Sequence, residues 1–231
     1  MGRRDPAQPL LTLYDGSGRV ELSGATTANW VAKSANLLVD GLGGPARIGL
    51  LLPLHWQSVA LMLAGAAAGA EVVIAAVAAD LDGCDAVFTT PDQAAAAFDF
   101  GADEVVVLSG HPLGAPVPAT TALPAMAQDY TREVPSYGDH FPGPLPTTAS
   151  LSVQGTAVPL PAPLLDLTAG DRILTTCGLH TADGLGVVLA ALGAGASLVL
   201  LVGDADAAAI SVAERVTAVA GLQVADLPRL A

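Results

Sequence analysis

Apolar positions in this chain come in short blocks whose period switches between strand-like and helix-like. Leu10–Asp15 and Arg19–Leu22 flank Asp15-Gly16 and read as a β-hairpin. Thr26 and Thr27 are candidate N-caps of a helix in which Trp30, Val31, Leu37 and Leu38 recur near helical spacing, with Gly41 as its stop. Arg47–Leu52 is a near-continuous apolar run, typical of a strand buried on both faces. His55–Ala68 predicts a helix and Glu71–Ala75 a strand. Asp85–Thr89 and Glu104–Leu108 predict two more strands, with a short helix from Pro91 through Phe98 between them. Beyond the middle, strands are expected at Leu151–Val153, Arg172–Thr176 and Ser197–Val202, and helices at Thr181–Ala194 and Asp206–Ala220. Strands alternating with helices imply right-handed crossovers and a mostly parallel sheet.

The pattern repeats. Arg47-Ile48 recurs as Arg172-Ile173 and Leu54-His55 as Leu179-His180, a spacing of 125 residues (172 − 47 and 180 − 55). After a one-residue slip, Ala68-Gly69-Ala70 recurs as Ala194-Gly195-Ala196. Each copy reads as strand, loop with a histidine, Ala/Gly-rich helix, small-residue turn and second strand. Residues 109–147 break the rhythm with eight prolines, among them Pro112, Pro124, Pro135 and Pro146, and one short helix near Ala122–Arg132. The expected organisation is a first α/β half over 1–108, a Pro-rich linker over 109–147 and a second α/β half over 148–231, packed as one globular unit. A loop this long is either an ordered cover or a mobile connection.

Composition narrows the classes. Hydrophobic residues make up 52% and aromatics only 4%, so the core is built from Ala, Val and Leu. The formal net charge of −13 excludes non-specific binding to nucleic acid or an anionic membrane, both of which need a basic surface. Residues 58–79 are almost wholly apolar, but Glu71, Gly65 and Gly69 divide them into a buried helix and a buried strand. Met1–Leu10 lacks the apolar run of a signal peptide. Cys84 and Cys177 offer neither a disulfide framework nor metal spacing, and suit small buried residues in a reducing cytoplasm.

Several motifs together resemble the N-terminal part of the adenylate-forming enzymes: acyl-CoA synthetases, peptide-synthetase adenylation domains and luciferases. Ala35-Asn36-Leu37 resembles a pattern on their early helix. Arg47-Ile48-Gly49-Leu50-Leu51-Leu52-Pro53, with the helix and Ala68-Gly69-Ala70 after it, resembles their strand, Pro-turn, helix and Ala-Gly-Ala turn. Gly170-Asp171-Arg172-Ile173-Leu174 and Gly195-Ala196 resemble the second unit, and Glu214-Arg215-Val216-Thr217 a later helix. The likeness covers roughly residues 10–220. It implies a three-layer α/β fold with mostly parallel sheets in two pseudo-duplicated halves.

The resemblance also implies an ATP-binding loop, rich in Ser, Thr and Gly and ending in Pro-Lys-Gly. Such a loop cradles phosphate with backbone N–H groups and neutralises charge with lysine. The segment in its place is Ser150 to Pro161, with Gly155, Thr156 and Pro159 as the degenerate phosphate-loop residues. If Pro159 matches the motif's proline, Leu160 stands for the lysine and Pro161 for the glycine. Pro159, Pro161 and Pro163 remove N–H donors. The single lysine, Lys33, lies on an early helix, and no arginine falls between Arg132 and Arg172. The sequence also ends before the family's later nucleotide-binding motifs and its lid with the catalytic lysine. These departures argue against ATP-dependent acyl activation, and no cofactor is expected.

Other chemistry is sparse. Cys177, His180 and Asp183 cluster in one loop, and the repeat sets His55 and His180 at equivalent strand ends, where open α/β sheets bind ligands. A thiolate beside a histidine is the minimum for nucleophilic catalysis; ordinary loop hydrogen bonding is the plainer alternative. His111 and His140 read as exposed linker residues. Asp80, Asp82 and Asp85 read as a solvated turn, with no glutamate placed to complete a calcium loop. Gly41-Leu42-Gly43-Gly44 precedes a strand, the wrong context for a dinucleotide fingerprint.

The first expectation is a non-catalytic binding or interaction protein of unknown ligand. The alternatives are an enzyme of another class using Cys177, His180 and His55, residual nucleotide or acyl-group binding, and a subunit that pairs with itself or with a protein partner. No metal, nucleic acid or membrane is expected.

Overall fold

The computed structural model describes residues 5–142, 150–154, 156–158 and 166–230. It separates into two compact units, one of residues 1–27, 54–56 and 159–231, the other of residues 28–53 and 57–158. Each is built on its own sheet, and both sheets are mostly parallel.

In the first unit, β1 (Pro9–Asp15) and β2 (Gly18–Ser23) form the hairpin that Asp15-Gly16 predicts. Asp15 closes it: its carboxylate accepts from Ser17 N–H and Oγ and from Gly18 N–H. The remaining strands are β10 (Arg172–Thr175), β11 (Ser197–Leu201), β12 (Ala218–Ala220) and β13 (Arg229–Leu230). They join β1 and β2 in the order β13-β12-β10-β11-β1-β2, antiparallel only at β2. α5 (Ala182–Ala194) links β10 to β11, capped by Thr181 and ended by Gly195 in the left-handed region. α6 (Ala207–Glu214) sets Ile210 against Leu174, Val199, Leu201 and Val219 on one sheet face.

The sequence predicts one helix over Asp206–Ala220. The structure breaks it at Arg215, which takes φ +53° and turns the chain out of the helix. Val216 and Thr217 then lead into β12, where small and β-branched residues fit beside β10.

In the second unit, β3 (Arg47–Leu51), α2 (Trp56–Ala68) and β4 (Glu71–Ile74) form the first copy of the repeat; Trp56, the first residue of α2, groups with the other unit. β5 (Ala86–Thr89), α3 (Ala94–Asp99) and β6 (Glu104–Val107) follow. β7 (Gln128–Asp129), β8 (Ser150–Val153) and β9 (Thr156–Val158) complete a sheet of order β7-β6-β5-β3-β4-β8-β9. Its core holds Leu51, Val73, Val87, Val105 and Val107, all buried.

α1 (Gly24–Asn36) begins earlier than Thr26 or Thr27 would have it as caps: Ser23 Oγ accepts from Thr26 N–H. Thr27 points its hydroxyl back to the Ser23 carbonyl instead. A wide helical turn, Leu37–Gly41, continues from α1. Residues 130–140 are fastened to α1 by side chains. Lys33 Nζ donates to the Tyr137 carbonyl at 2.6 Å and pairs with Asp139 at 3.0 Å. Asn36 Nδ2 donates to the Gly138 and His140 carbonyls, and the Tyr130 and Ser34 hydroxyls are 2.7 Å apart. Tyr130 is fully buried, stacked on Trp30 and edge-on to Phe88. The short helix of this stretch is α4 (Tyr130–Glu133), later than the Ala122–Arg132 span predicted, because the Asp129 carboxylate caps it through Thr131 N–H.

Among the described residues, no helix is long and apolar enough to cross a membrane.

Candidate functional site

In the first unit, β10, β11, β12 and β1 all end on one edge of the sheet. The chain leaves β10 through α5 toward β11 and leaves β12 the opposite way toward β13. The gap between β10 and β12 is thus a topological switch point, the place where open α/β sheets take ligands.

Cys177 sits in that gap. It is half-buried, a free thiol, and its backbone N–H donates to Thr175 Oγ1 at 3.0 Å. Gly221, just past β12, faces it closely: a Cβ there would fall 2.5 Å from Cys177 Sγ and 2.7 Å from Thr176 Oγ1. Thr176 N–H donates to the Ala220 carbonyl and closes the floor. The loop then folds on itself. The His180 ring lies over Gly178, where a Cβ would meet it at 2.5 Å, and the Gly178 carbonyl approaches Gly184 of α5, where a Cβ would meet it at 2.1 Å. Thr181 Oγ1 donates to the Gly178 carbonyl and accepts from Gly184 N–H. No hydrogen bond joins Cys177 to His180.

His55 belongs to the same unit, is buried, and tilts against Trp56 with ring centroids 5.4 Å apart. Its charge acts on Asp15: burial tends to raise that carboxyl, but the Ser17 and Gly18 hydrogen bonds and His55 bring it below its usual value. The loop brings Cys177 and His180 into one turn. His55 is tied electrostatically to the β1–β2 turn.

The other candidates fall elsewhere. His111 is exposed and its Nδ1 accepts from Leu113 N–H. The His140 carbonyl is held by Asn36. Asp80 accepts from Ala76 and Val77 N–H, and Asp85 accepts from Arg47 N–H, so both carboxylates serve the backbone. Cys84 is buried, and burial pushes its thiol up to about 11. Thr156 of the phosphate-loop segment opens β9; Gly155, Pro159, Leu160, Pro161 and Pro163 lie outside the described residues. Val153 and Thr156 pair directly, with Gln154 at φ +49° in the turn between them.

Sequence reasoning missed a charged cluster that spans the chain. Glu214, at the end of α6, accepts from Tyr14 Oη at 2.7 Å and Arg19 Nε at 2.6 Å, and also binds Arg172. Arg172 Nη2 reaches Thr12 Oγ1 at 2.8 Å. Burial alone would raise the Glu214 carboxyl. The bonds from Arg19, Tyr14 and Arg172 outweigh it and hold the group down at about 2. The partners lie 195 and 200 residues apart in sequence, so no local signal could have revealed them.

No family model matches the chain. A "TIGR03089 family protein" of Mycobacterium tuberculosis (strain ATCC 25618 / H37Rv) is 39% identical over 209 residues, which is 86% of this chain and 85% of that protein. The chain belongs to the TIGR03089 family. Among solved structures, the acyl-CoA synthetase of Brucella canis matches 94% of the chain with a TM-score of 0.76 at 19% identity. Apo MatB of Rhodopseudomonas palustris gives 0.68 at 19%, and the N-terminal domain of FACL13 of Mycobacterium tuberculosis 0.62 at 16%. The fold is therefore that of the N-terminal part of adenylate-forming enzymes, as the sequence resemblance implied. The chain spans 45% of the Brucella synthetase and 46% of MatB.

Proposed function

We propose that this TIGR03089 family member is a non-adenylating protein that uses the synthetase-like scaffold for binding or interaction. The observation that supports this reading is the hairpin of β8 and β9. Val153 and Thr156 are already paired across the β8–β9 ladder, where the family resemblance calls for a phosphate-wrapping loop. Backbone N–H groups committed to a strand ladder are not available to a triphosphate. The 132–172 interval also supplies no lysine and no further arginine to offset its charge. Magnesium-dependent ATP–pyrophosphate exchange with a panel of carboxylic acids tests the reading, and calorimetric titration with ATP, AMP and acyl-CoA accompanies it. Exchange at background level is expected; exchange that depends on any carboxylate overturns it.

One observation favours a second reading, an enzyme of another class acting through Cys177. The half-buried thiol stands at the switch point with His180 in the same turn. Alkylation by iodoacetamide at neutral pH separates the two readings, with Cys84 as the protected internal control. Modification of Cys177 faster than a free thiol supports the nucleophile. A rate at or below that of free cysteine removes it.

A further inference from the structure

Away from the switch point, α6 and the 224–227 segment enclose an open pocket of about 430 Å³ in the first unit. Its walls are mostly apolar: Ala208, Val212, Val216, Val224 and Leu227. Val212 is 82% exposed, an unusual position for a large aliphatic side chain with nothing over it.

Three polar groups interrupt those walls. Ser211 is only 5% exposed, lines the pocket, and its buried Oγ has no hydrogen-bond partner among the described residues. A buried hydroxyl without a partner carries an uncompensated desolvation cost, which a ligand oxygen would relieve. Arg215 is exposed and, unlike Arg19, Arg47, Arg132 and Arg172, forms no ion pair within the described residues. Asp226 is the third, at the exposed rim. Arg215 and Asp226 are also two of the three non-glycine residues at positive φ among the described residues, +53° and +64°, so both sides of the pocket keep a backbone conformation that side chains disfavour.

We propose that this pocket binds a short to medium aliphatic chain carrying one anionic head. The tail would lie along Val212, Val216, Val224 and Leu227. The head would take the free Arg215 guanidinium and the unpartnered Ser211 hydroxyl, a charge-assisted pair of contacts. Asp226 opposes an anion at the rim, and it sets the sign of one variant below. The volume falls within the range of small-molecule sites. The inference does not depend on whether the chain adenylates anything, since Cys177 and the β8–β9 hairpin take no part in it.

Octanoate, octyl sulfate and 1-octanol titrated calorimetrically into the full chain test it. Both anions should bind, and the neutral alcohol more weakly. Arg215→Gln should weaken the anions by about tenfold, the loss of one charged hydrogen bond, and leave octanol unchanged. Val212→Gln should weaken all three, and Asp226→Asn should tighten only the anions. Because Arg215, Val212 and Asp226 are exposed, these variants should fold, which unchanged thermal unfolding without ligand confirms. No binding of octanoate or octyl sulfate in the millimolar range overturns the proposal. So does binding that Arg215→Gln and Val212→Gln leave untouched. Binding of octanoate but not octyl sulfate would narrow the head to a carboxylate.

Discussion

Both copies of the repeat open with Arg-Ile at the start of a strand, yet the two arginines live in different surroundings. Arg47 reaches Glu71 on the neighbouring strand at 3.5 Å, and both side chains are substantially exposed, 33% and 40%. Arg172 meets Glu214 from a helix in the same unit, with side chains 12% and 8% exposed, and shares it with Tyr14 and Arg19. A repeated sequence reproduces the strand and its hydrogen-bond register. It does not reproduce what the side chain finds across the sheet, because that depends on which later element is laid over it. The difference should be large in energy: an exposed pair contributes about 0–1 kcal/mol, whereas removing one partner of a buried pair costs about 3–5 kcal/mol.

Removing that carboxylate is the sharpest way to break the comparison. Glu214→Ala should destabilise the first unit by about 3 kcal/mol in urea unfolding, because Arg172 loses its nearer carboxylate in a half-closed site and keeps only Glu21 at 3.7 Å. A loss under about 1 kcal/mol would make the two pairs equivalent and end the contrast. The same group predicts an acid dependence. Its folded value of about 2 lies below the ordinary 4.5 that it has in the unfolded chain, so its stabilising contribution is complete above 4.5 and disappears as pH falls toward 2. Glu214→Gln should flatten stability across that window, and an unaltered acid profile would contradict the assignment.

Smaller effects sharpen the contrast in the helices. With the one-residue slip, Gly65 of α2 corresponds to Ala191 of α5 (191 − 65 is 126, as is 194 − 68). A Cβ at Gly65 would fall 2.5 Å from Ile48 Cδ1 and 2.6 Å from Val72 Cγ2. Gly65→Ala should therefore cost about 1–2 kcal/mol, overpacking outweighing the gain in helix propensity. Ala191→Gly has no such contact to relieve and should cost about 1 kcal/mol through propensity and a lost methyl. If Gly65→Ala stabilises, the first helix does not depend on close approach. The smallest effect belongs to Arg47→Gln, expected within about 1 kcal/mol of the parent by thermal unfolding.

What could be read from the sequence divides along the same line. Continuous apolar runs such as Arg47–Leu51 and Ser197–Leu201 announced buried parallel strands, and Thr181 and Gly195 announced the ends of α5. The loop bearing Cys177 and His180 was legible because it follows such a strand. The close packing of Gly178, Gly184 and Gly221 around it was not, because a glycine in sequence does not say which atom will approach it. The end of α6 was missed because Glu214-Arg215-Val216-Thr217 keeps a helical spacing while the backbone turns left-handed at Arg215. Eight prolines made residues 109–147 read as a connector. The side chains that pin 130–140 sit about a hundred positions upstream, on α1.

Lys33 carries the one side-chain amine in the sequence, and that amine is spent on the Tyr137 carbonyl and Asp139. An amine-directed label or acyl donor that reaches this ε-nitrogen trades a positive charge for a neutral amide. It therefore removes the ion pair with Asp139 in the act of marking it, while Asn36 keeps its hold on the Gly138 and His140 carbonyls.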